Sequence, residues 1–328
     1  MSQLFELQDR LVAQLAAAMK VDLSESDLRE IERPETEDLE AYELCARARQ
    51  LVYRMDRETI EQARRHLERA IELDPCYALA SSSLGHLHCM RYIGTTDPQD
   101  LETAIEHLRR AQELDPELAD GWLWASYAYS RLDRFDRARE AARTAVTLEP
   151  EDPVAHYFRG TGEWMRGVIG HDTGGYAEAV RHLERAAELA PRFEPTYQIR
   201  GDLYRSRGQY DEAAEAFRRS AEIERSGDFD LARFVGGTAR LGSVELRRGQ
   251  LEAGERLLAE GLQLLADSDH VYAAAQRCLS HCARTEVALR RKRFDEALDH
   301  LKVARAEIEG SARSLGLGWM LVRTDLLR

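Results

Sequence analysis

One ten-residue motif occurs three times in this 328-residue chain with few changes. The copies are HLERAIELDP, HLRRAQELDP and HLERAAELAP, which end at Pro75, Pro116 and Pro191. A weaker copy, HLKVARAEIE, ends at Glu309. A motif that returns at intervals of tens of residues indicates a chain built from stacked copies of one small unit. The intervals between the copies are unequal, so some units carry extra residues.

The clearest unit runs from Ala119 to Asp152. Its apolar and small side chains recur every three or four residues, which places them on one face of each of two helices. The two stripes consist of Trp122, Ala125, Ser126 and Tyr129, and of Phe135, Ala138, Ala142 and Ala145. Pro150 ends the second helix. Neither helix can bury its stripe alone, so the unit has to stack on copies of itself.

A second good copy begins at Glu194 and reads EPTYQIRGDLYRSRGQYDEAAEAFRRSAEIE. The pattern W–L–G–Y, then A–F–A, then P, at a period of about 34 residues, resembles the tetratricopeptide repeat. The resemblance implies an all-α fold, a right-handed superhelical solenoid of about seven helical hairpins. It also implies that the first helix of each hairpin lines a concave groove.

The unequal intervals fit this unit. About seven extra residues lie around RYIGTTDPQ in the second unit and around MRGVIGHDTGG in the fourth, and we expect them to add about one turn to each helix. The sixth and seventh units are degenerate. The predicted hairpins are 39–75, 76–116, 117–151, 152–191, 192–226, 228–268 and 270–309.

Two flanking segments complete the predicted organisation. Residues 1–38 contain the amphipathic stretch LFELQDRLVAQLAAAM and are predicted to form a helical lead-in. The lead-in and the first units resemble the start of tetratricopeptide arrays in bacterial multidomain signalling proteins, which are linked to cyclase or winged-helix domains. Residues 310–328 are predicted to form a C-terminal capping helix.

Charge and cysteine content limit the classes of partner and the cellular location that we expect. The chain has 46 Lys and Arg against 59 Asp and Glu, a net charge of −13, which disfavours nucleic acid or an anionic membrane as the main partner. No apolar run reaches the length of a membrane span. Five cysteines without disulfide or Cys-x-x-Cys spacing indicate reduced thiols and a cytoplasmic location.

Catalytic and metal-binding motifs are not found in the sequence. Four histidines stand in the HL motif copies, but successive hairpins are about 10 Å apart, too far for one ion. The segment CLSHC, from Cys278 to Cys282, offers three possible ligands on one face, although small side chains are expected there in a degenerate repeat. The Asp–Pro pairs are interpreted as turn and helix-stop signals. We therefore predict no enzyme activity, no cofactor and no bound metal; an unrecognised enzyme or metal protein is a remote alternative.

The groove is the expected binding site. Its predicted lining residues are Tyr42, Arg49, Tyr53, Ser82, His86, Met90, Leu123, Tyr127, Arg131, Tyr157, Thr161 and Trp164. Tyr, Trp, Met and Arg are common anchors of protein interfaces, so we expect a scaffold that binds a peptide or an amphipathic helix of another protein. The paired Lys and Asn that grip a terminal carboxylate in some family members are absent. A regulatory part of a signalling enzyme or transcription regulator is the alternative, and the same aromatics could instead pack between repeats or be covered by the N-terminal helix.

Overall fold

The computed structural model describes residues 35–52, 57–95, 97–169, 175–228, 230, 235–268 and 272–315. This part of the chain contains fourteen α-helices and no strands. The helices are α1 Leu39–Val52, α2 Arg57–Leu73, α3 Ala78–Thr95, α4 Pro98–Leu114, α5 Ala119–Arg131, α6 Phe135–Leu148, α7 Pro153–Ile169, α8 Tyr176–Leu189, α9 Glu194–Ser206, α10 Tyr210–Ser226, α11 Gly237–Arg247, α12 Leu251–Leu265, α13 Ala273–Arg290 and α14 Phe294–Leu315. The all-α prediction is confirmed.

Consecutive helices pack in pairs, and each pair packs on the next. One helix pair begins in each of the seven ranges named above, and all but the last helix also end there. The odd-numbered helices, from α1 to α13, also touch one another in order, so they form one continuous surface. We call these the inner helices and their shared surface the inner surface. The arrangement is a superhelical solenoid, as the sequence predicts.

Helix lengths explain the unequal motif intervals. In the second hairpin α3 and α4 have 18 and 17 residues, whereas α5 and α6 of the third have 13 and 14. The extra residues of the second hairpin therefore lengthen both helices, which confirms the prediction. In the fourth hairpin they lengthen α7, which has 17 residues, while α8 has 14, so the added turn predicted for the second helix of this hairpin is wrong.

The Asp–Pro pairs lie at helix ends. The Oδ1 atoms of Asp74 and Asp115 accept hydrogen bonds from backbone N–H groups two residues later, at 2.9 and 3.0 Å. Asp97 caps α4 in the same way, accepting from the N–H of Gln99 at 2.9 Å, and Pro98 occupies the first turn. A side-chain acceptor of this kind satisfies an N–H that the turn leaves without a backbone partner. The interpretation of these pairs as turn signals is confirmed.

Small residues let the two helices of a hairpin approach closely. A Cβ added at Gly160 would lie 2.7 Å from Cγ of Leu183, and one at Gly201 would lie 2.5 Å from the ring of Phe217. Cβ atoms do not come so close to other carbon atoms in proteins, so only glycine allows the helix pairs this contact.

The seventh hairpin also touches the second. Helix α14 packs against α3, and Tyr272, just before α13, packs on the core that runs through the first four hairpins. The solenoid therefore closes back on itself between its second and seventh hairpins. The predicted boundary after residue 309 falls inside α14, which continues to Leu315. The lead-in helix predicted for 1–38 and the cap predicted for 310–328 lie mostly outside the described residues.

Candidate functional site

The predicted groove residues fall into three groups. Those buried among neighbouring helices are Ser82, His86, Met90, Leu123 and Tyr127. Those partly exposed are Tyr42, Arg49, Tyr157, Thr161 and Trp164. Arg131 is exposed, and Tyr53 lies outside the described residues. The inner surface that a partner could reach is thus smaller than the sequence predicts.

Aromatic packing between repeats accounts for much of this burial. The rings of His86 and Trp124 stack with centroids 3.4 Å apart, and Trp124 meets Phe158 edge-on at 5.2 Å. Tyr127 is only 9% exposed because it packs in the same cluster. Trp124 and Phe158 were not among the predicted site residues. Their signal in the sequence was an aromatic residue at the same position of two successive units.

An ion pair crosses the N-terminal part of the inner surface. Arg49 on α1 lies 3.1 Å from Asp120 on α5, although two repeats separate them along the chain. Burial raises the pKa of Asp120, and the charge of Arg49 offsets part of that rise. The pair holds the first and third inner helices together electrostatically.

Arg131 stands at the C-terminal end of α5 among three tyrosines. Its guanidinium carbon lies 5.0 Å from the centroid of the Tyr127 ring, within cation–π range. Burial raises the pKa of Tyr157 and Tyr272, and the nearby Arg131 charge offsets part of the rise in each. Because these phenols are neutral at pH 7, they bring no negative charge to Arg131.

The C-terminal part of the inner surface is polar and more enclosed. Glu194 is 1% exposed, and burial raises the pKa of its carboxyl to about 7. Its Oε1 accepts hydrogen bonds from Gln198 at 2.7 Å and from Ser220. Asp202 pairs with Arg205 at 2.7 Å and with Arg240. These contacts connect α9 to α10 and α11.

Three of the four HL-motif histidines face a second histidine from the first helix of the same hairpin. The Nδ1 atoms of His156 and His182 are 2.9 Å apart, and those of His281 and His300 are 3.3 Å apart. His88 stacks on His107 with ring centroids 5.8 Å apart. The available sequence signal was a His–Cys dipeptide that precedes the HL motif by the same interval in the second and seventh units.

No group of three His, Cys, Asp or Glu side chains suited to a metal ion occurs among the described residues. Within CLSHC, Cys278 and Cys282 are buried while His281 turns toward His300. Burial, together with the partner histidine, lowers the pKa of His182 and of His281 to about 4. Both imidazoles are therefore neutral at pH 7.

Two family models, both described as tetratricopeptide repeat, match residues 97–153 and 194–226. These segments contain helix pairs with the hairpin geometry described above. The chain therefore contains tetratricopeptide repeats. Family and fold are in general those of protein-interaction scaffolds, and they are typically not catalytic.

Similar proteins come from several organisms. The BBSome complex member BBS4 homolog of Drosophila melanogaster is 28% identical over 113 residues, which are 34% of this tetratricopeptide chain and 22% of the fly protein. The fold matches the crystal structure of the APC/C hetero-tetramer Cut9–Hcn1 with a TM-score of 0.61 at 16% identity, covering 91% of this chain and 51% of the matched one. It matches a tetratricopeptide repeat protein from Parabacteroides merdae with a TM-score of 0.55 at 15% identity, covering 88% and 99%.

This chain spans less than a quarter of the length of the curated relatives that it matches, 22% and 17%. The solved structures are similar in fold alone. None of the helices in the described ranges has the length and apolar character required to cross a bilayer.

Proposed function

We propose that this tetratricopeptide protein is a scaffold that binds a peptide or an amphipathic helix of a partner protein on its inner surface. The proposal rests on one observation: partly exposed and exposed side chains of Tyr42, Tyr157 and Arg131 remain on the inner helices after the repeats have packed. Tyr and Arg contribute strongly to protein interfaces, because each combines a large contact area with hydrogen-bonding groups. The scaffold would act without catalysis or a cofactor.

A protein partner fits the charge better than nucleic acid or membrane does. The net charge of −13 repels phosphate-rich polymers and anionic lipid surfaces, and arginines such as Arg49 and Arg240 are paired with carboxylates. The seventh hairpin also packs against the second, which leaves less of the inner surface open than in a linear array of the same repeats. A single peptide segment or helix fits such a surface better than a globular domain.

Site-specific photo-cross-linking tests this proposal. Tyr157→benzoylphenylalanine places the reactive group on the inner surface and keeps an aromatic ring at that position. Phe294→benzoylphenylalanine is the control, because Phe294 is 66% exposed and lies on α14, outside the inner helices. After irradiation in extract of the native cell, we expect one discrete adduct with Tyr157→benzoylphenylalanine that is missing with the control.

The opposite pattern of adducts would contradict the proposal. Adducts that form equally at both positions, or only at position 294, would show that partners bind outside the inner surface. Mass spectrometry of the adduct identifies the partner peptide and its cross-linked residue.

A further inference from the structure

We propose that Arg131 is an anion-binding centre on the inner surface and that it receives an Asp or Glu side chain of a bound peptide segment. The inference rests on the scaffold function proposed above and specifies the chemistry of the partner. It starts from the exposure of Arg131, since the other predicted groove residues that the structure describes are buried or partly exposed.

Arg131 has no carboxylate partner in the described part of the chain. The titratable groups that act most strongly on it are the phenols of Tyr127, Tyr157 and Tyr272, which are neutral at pH 7. Other arginines on the inner helices differ, since Arg49 pairs with Asp120 and Arg240 pairs with Asp202. An exposed guanidinium without a carboxylate partner can form a charge-assisted, bidentate pair with a carboxylate that a bound peptide supplies.

The tyrosines position this cation. Cation–π contact with Tyr127 holds the guanidinium at 5.0 Å from the ring centroid, and Tyr127 is itself fixed by burial in the core. Tyr272 approaches from the seventh hairpin and packs on the same core. The Tyr127 ring shields one side of the guanidinium from water, which strengthens the attraction between Arg131 and an incoming anion.

The occupant follows from charge and shape. A cation surrounded by aromatic rings favours a carboxylate that is flanked by apolar or aromatic side chains. Because the whole protein carries a charge of −13, a highly acidic segment is repelled at the outer surface. We therefore expect one Asp or Glu within an otherwise apolar segment. A segment that crosses the inner surface presents side chains rather than its terminus, so a side-chain carboxylate is the expected ligand.

The probe is a library of random dodecapeptides displayed on phage and fused through their C-termini, so that no free terminal carboxylate is present. The library is selected on the full chain and on two variants, Arg131→Met and Arg137→Met. Arg137 is the matched control, since its guanidinium also lies over a tyrosine ring, at 5.9 Å from Tyr129, but on α6. Thermal melting verifies that each variant is folded.

We expect peptides with one fixed Asp or Glu to be enriched on the wild-type chain and on Arg137→Met, and not on Arg131→Met. A selected peptide, synthesised with a blocked terminus, should bind Arg131→Met at least about tenfold more weakly. Changing its acidic residue to the amide should cost the same factor on the wild-type chain and nothing more on Arg131→Met. Arg131→Lys should bind with intermediate affinity, because it keeps the charge and loses the planar fork.

Two results would overturn the inference in different ways. Peptides enriched equally on the wild-type chain and Arg131→Met, with no acidic position, would remove the anion-binding role and leave the scaffold function standing. Failure to select any peptide on any of the three proteins would count against the inner surface as a peptide-binding site and therefore against both proposals.

Discussion

At the scale of single residues, glycines decide how closely the helices pack. Gly160 and Gly162 lie on the same helix, yet a Cβ at Gly160 would meet Leu183 at 2.7 Å, whereas one at Gly162 would meet nothing within 4 Å. Substituting each glycine in turn therefore distinguishes the effect of close packing from the intrinsic cost of glycine in a helix.

Gly160→Ala should lower the free energy of unfolding by about 1–3 kcal/mol, because the added methyl group forces α7 and α8 apart. Gly162→Ala should raise it by up to about 1 kcal/mol, because alanine favours the helix and the space is open. Urea titration followed by circular dichroism measures both. Equal effects of the two substitutions would contradict the close contact between the helices.

Glu194 gives a second prediction at this scale. Its pKa is about 7 in the folded chain, above the ordinary 4.5, so the native state binds a proton that the unfolded state releases. Stability from this group is present at low pH and is lost as the pH rises through 7. Glu194→Gln should therefore stabilise the protein at pH 8.5, by up to about 3 kcal/mol, and have little effect at pH 5. Melting curves at the two pH values test this; a gain that is the same at both would show that ionisation is not responsible.

At the scale of helices, histidine pairs connect the two halves of three hairpins. The native pKa of His182 and of His281 is about 4, below the ordinary 6.5, so protonation favours the unfolded state. Acidification therefore destabilises the fold through these histidine pairs, whereas it stabilises the fold through Glu194. Glu178 lies 3.7 Å from Nε2 of His182, and its charge reduces the pKa shift only in part.

Lowering the pH from 6.5 to 4 should therefore cost up to about 3 kcal/mol for each of the two close pairs. His182→Gln should abolish the loss of stability at low pH that comes from the fourth hairpin. The loss that comes from His281 in the seventh hairpin should remain. His66→Gln is the control, since His66 is the HL-motif histidine outside the three pairs described above. Stability measured by urea titration at pH 7 and pH 4.5 tests the prediction, which fails if His182→Gln and His66→Gln respond alike.

The sequence predicted the helices and their pairing well, for physical reasons. The stripe on α5, the stop at Pro150 and the Asp–Pro turns are local features, and local features are visible in a single unit. The burial of Tyr127 was harder to predict from the sequence, because it depends on Phe158 from the next repeat and on the ring of Trp124. The contact of Tyr272 with the first four hairpins could not be predicted, because it depends on small rotations accumulated over several repeats.

At the scale of the whole molecule, the contact between the second and seventh hairpins departs from a simple linear array. In a linear array each repeat contacts only its neighbours, and stability is a sum of local terms. Here α14 on α3 and Tyr272 on the core add a long-range term. Unfolding of the second and seventh hairpins should therefore be coupled.

Tyr272→Ala should weaken this contact, lower the free energy of unfolding by about 2 kcal/mol and increase the radius of gyration in solution scattering. Phe294→Ala, on the same hairpin but 66% exposed, should change stability by less than about 0.5 kcal/mol and leave the radius unchanged. If Tyr272→Ala scatters like the wild type, the two hairpins do not hold each other in solution.

The meeting of α14 with α3 also restricts how the gene can change. Repeat proteins commonly gain or lose whole copies by unequal recombination, and an open array tolerates this at any internal position. In this chain an added or deleted copy would shift the seventh hairpin along the superhelix, and α14 would no longer pack on α3. Changes in copy number should therefore be selected against between the second and seventh hairpins.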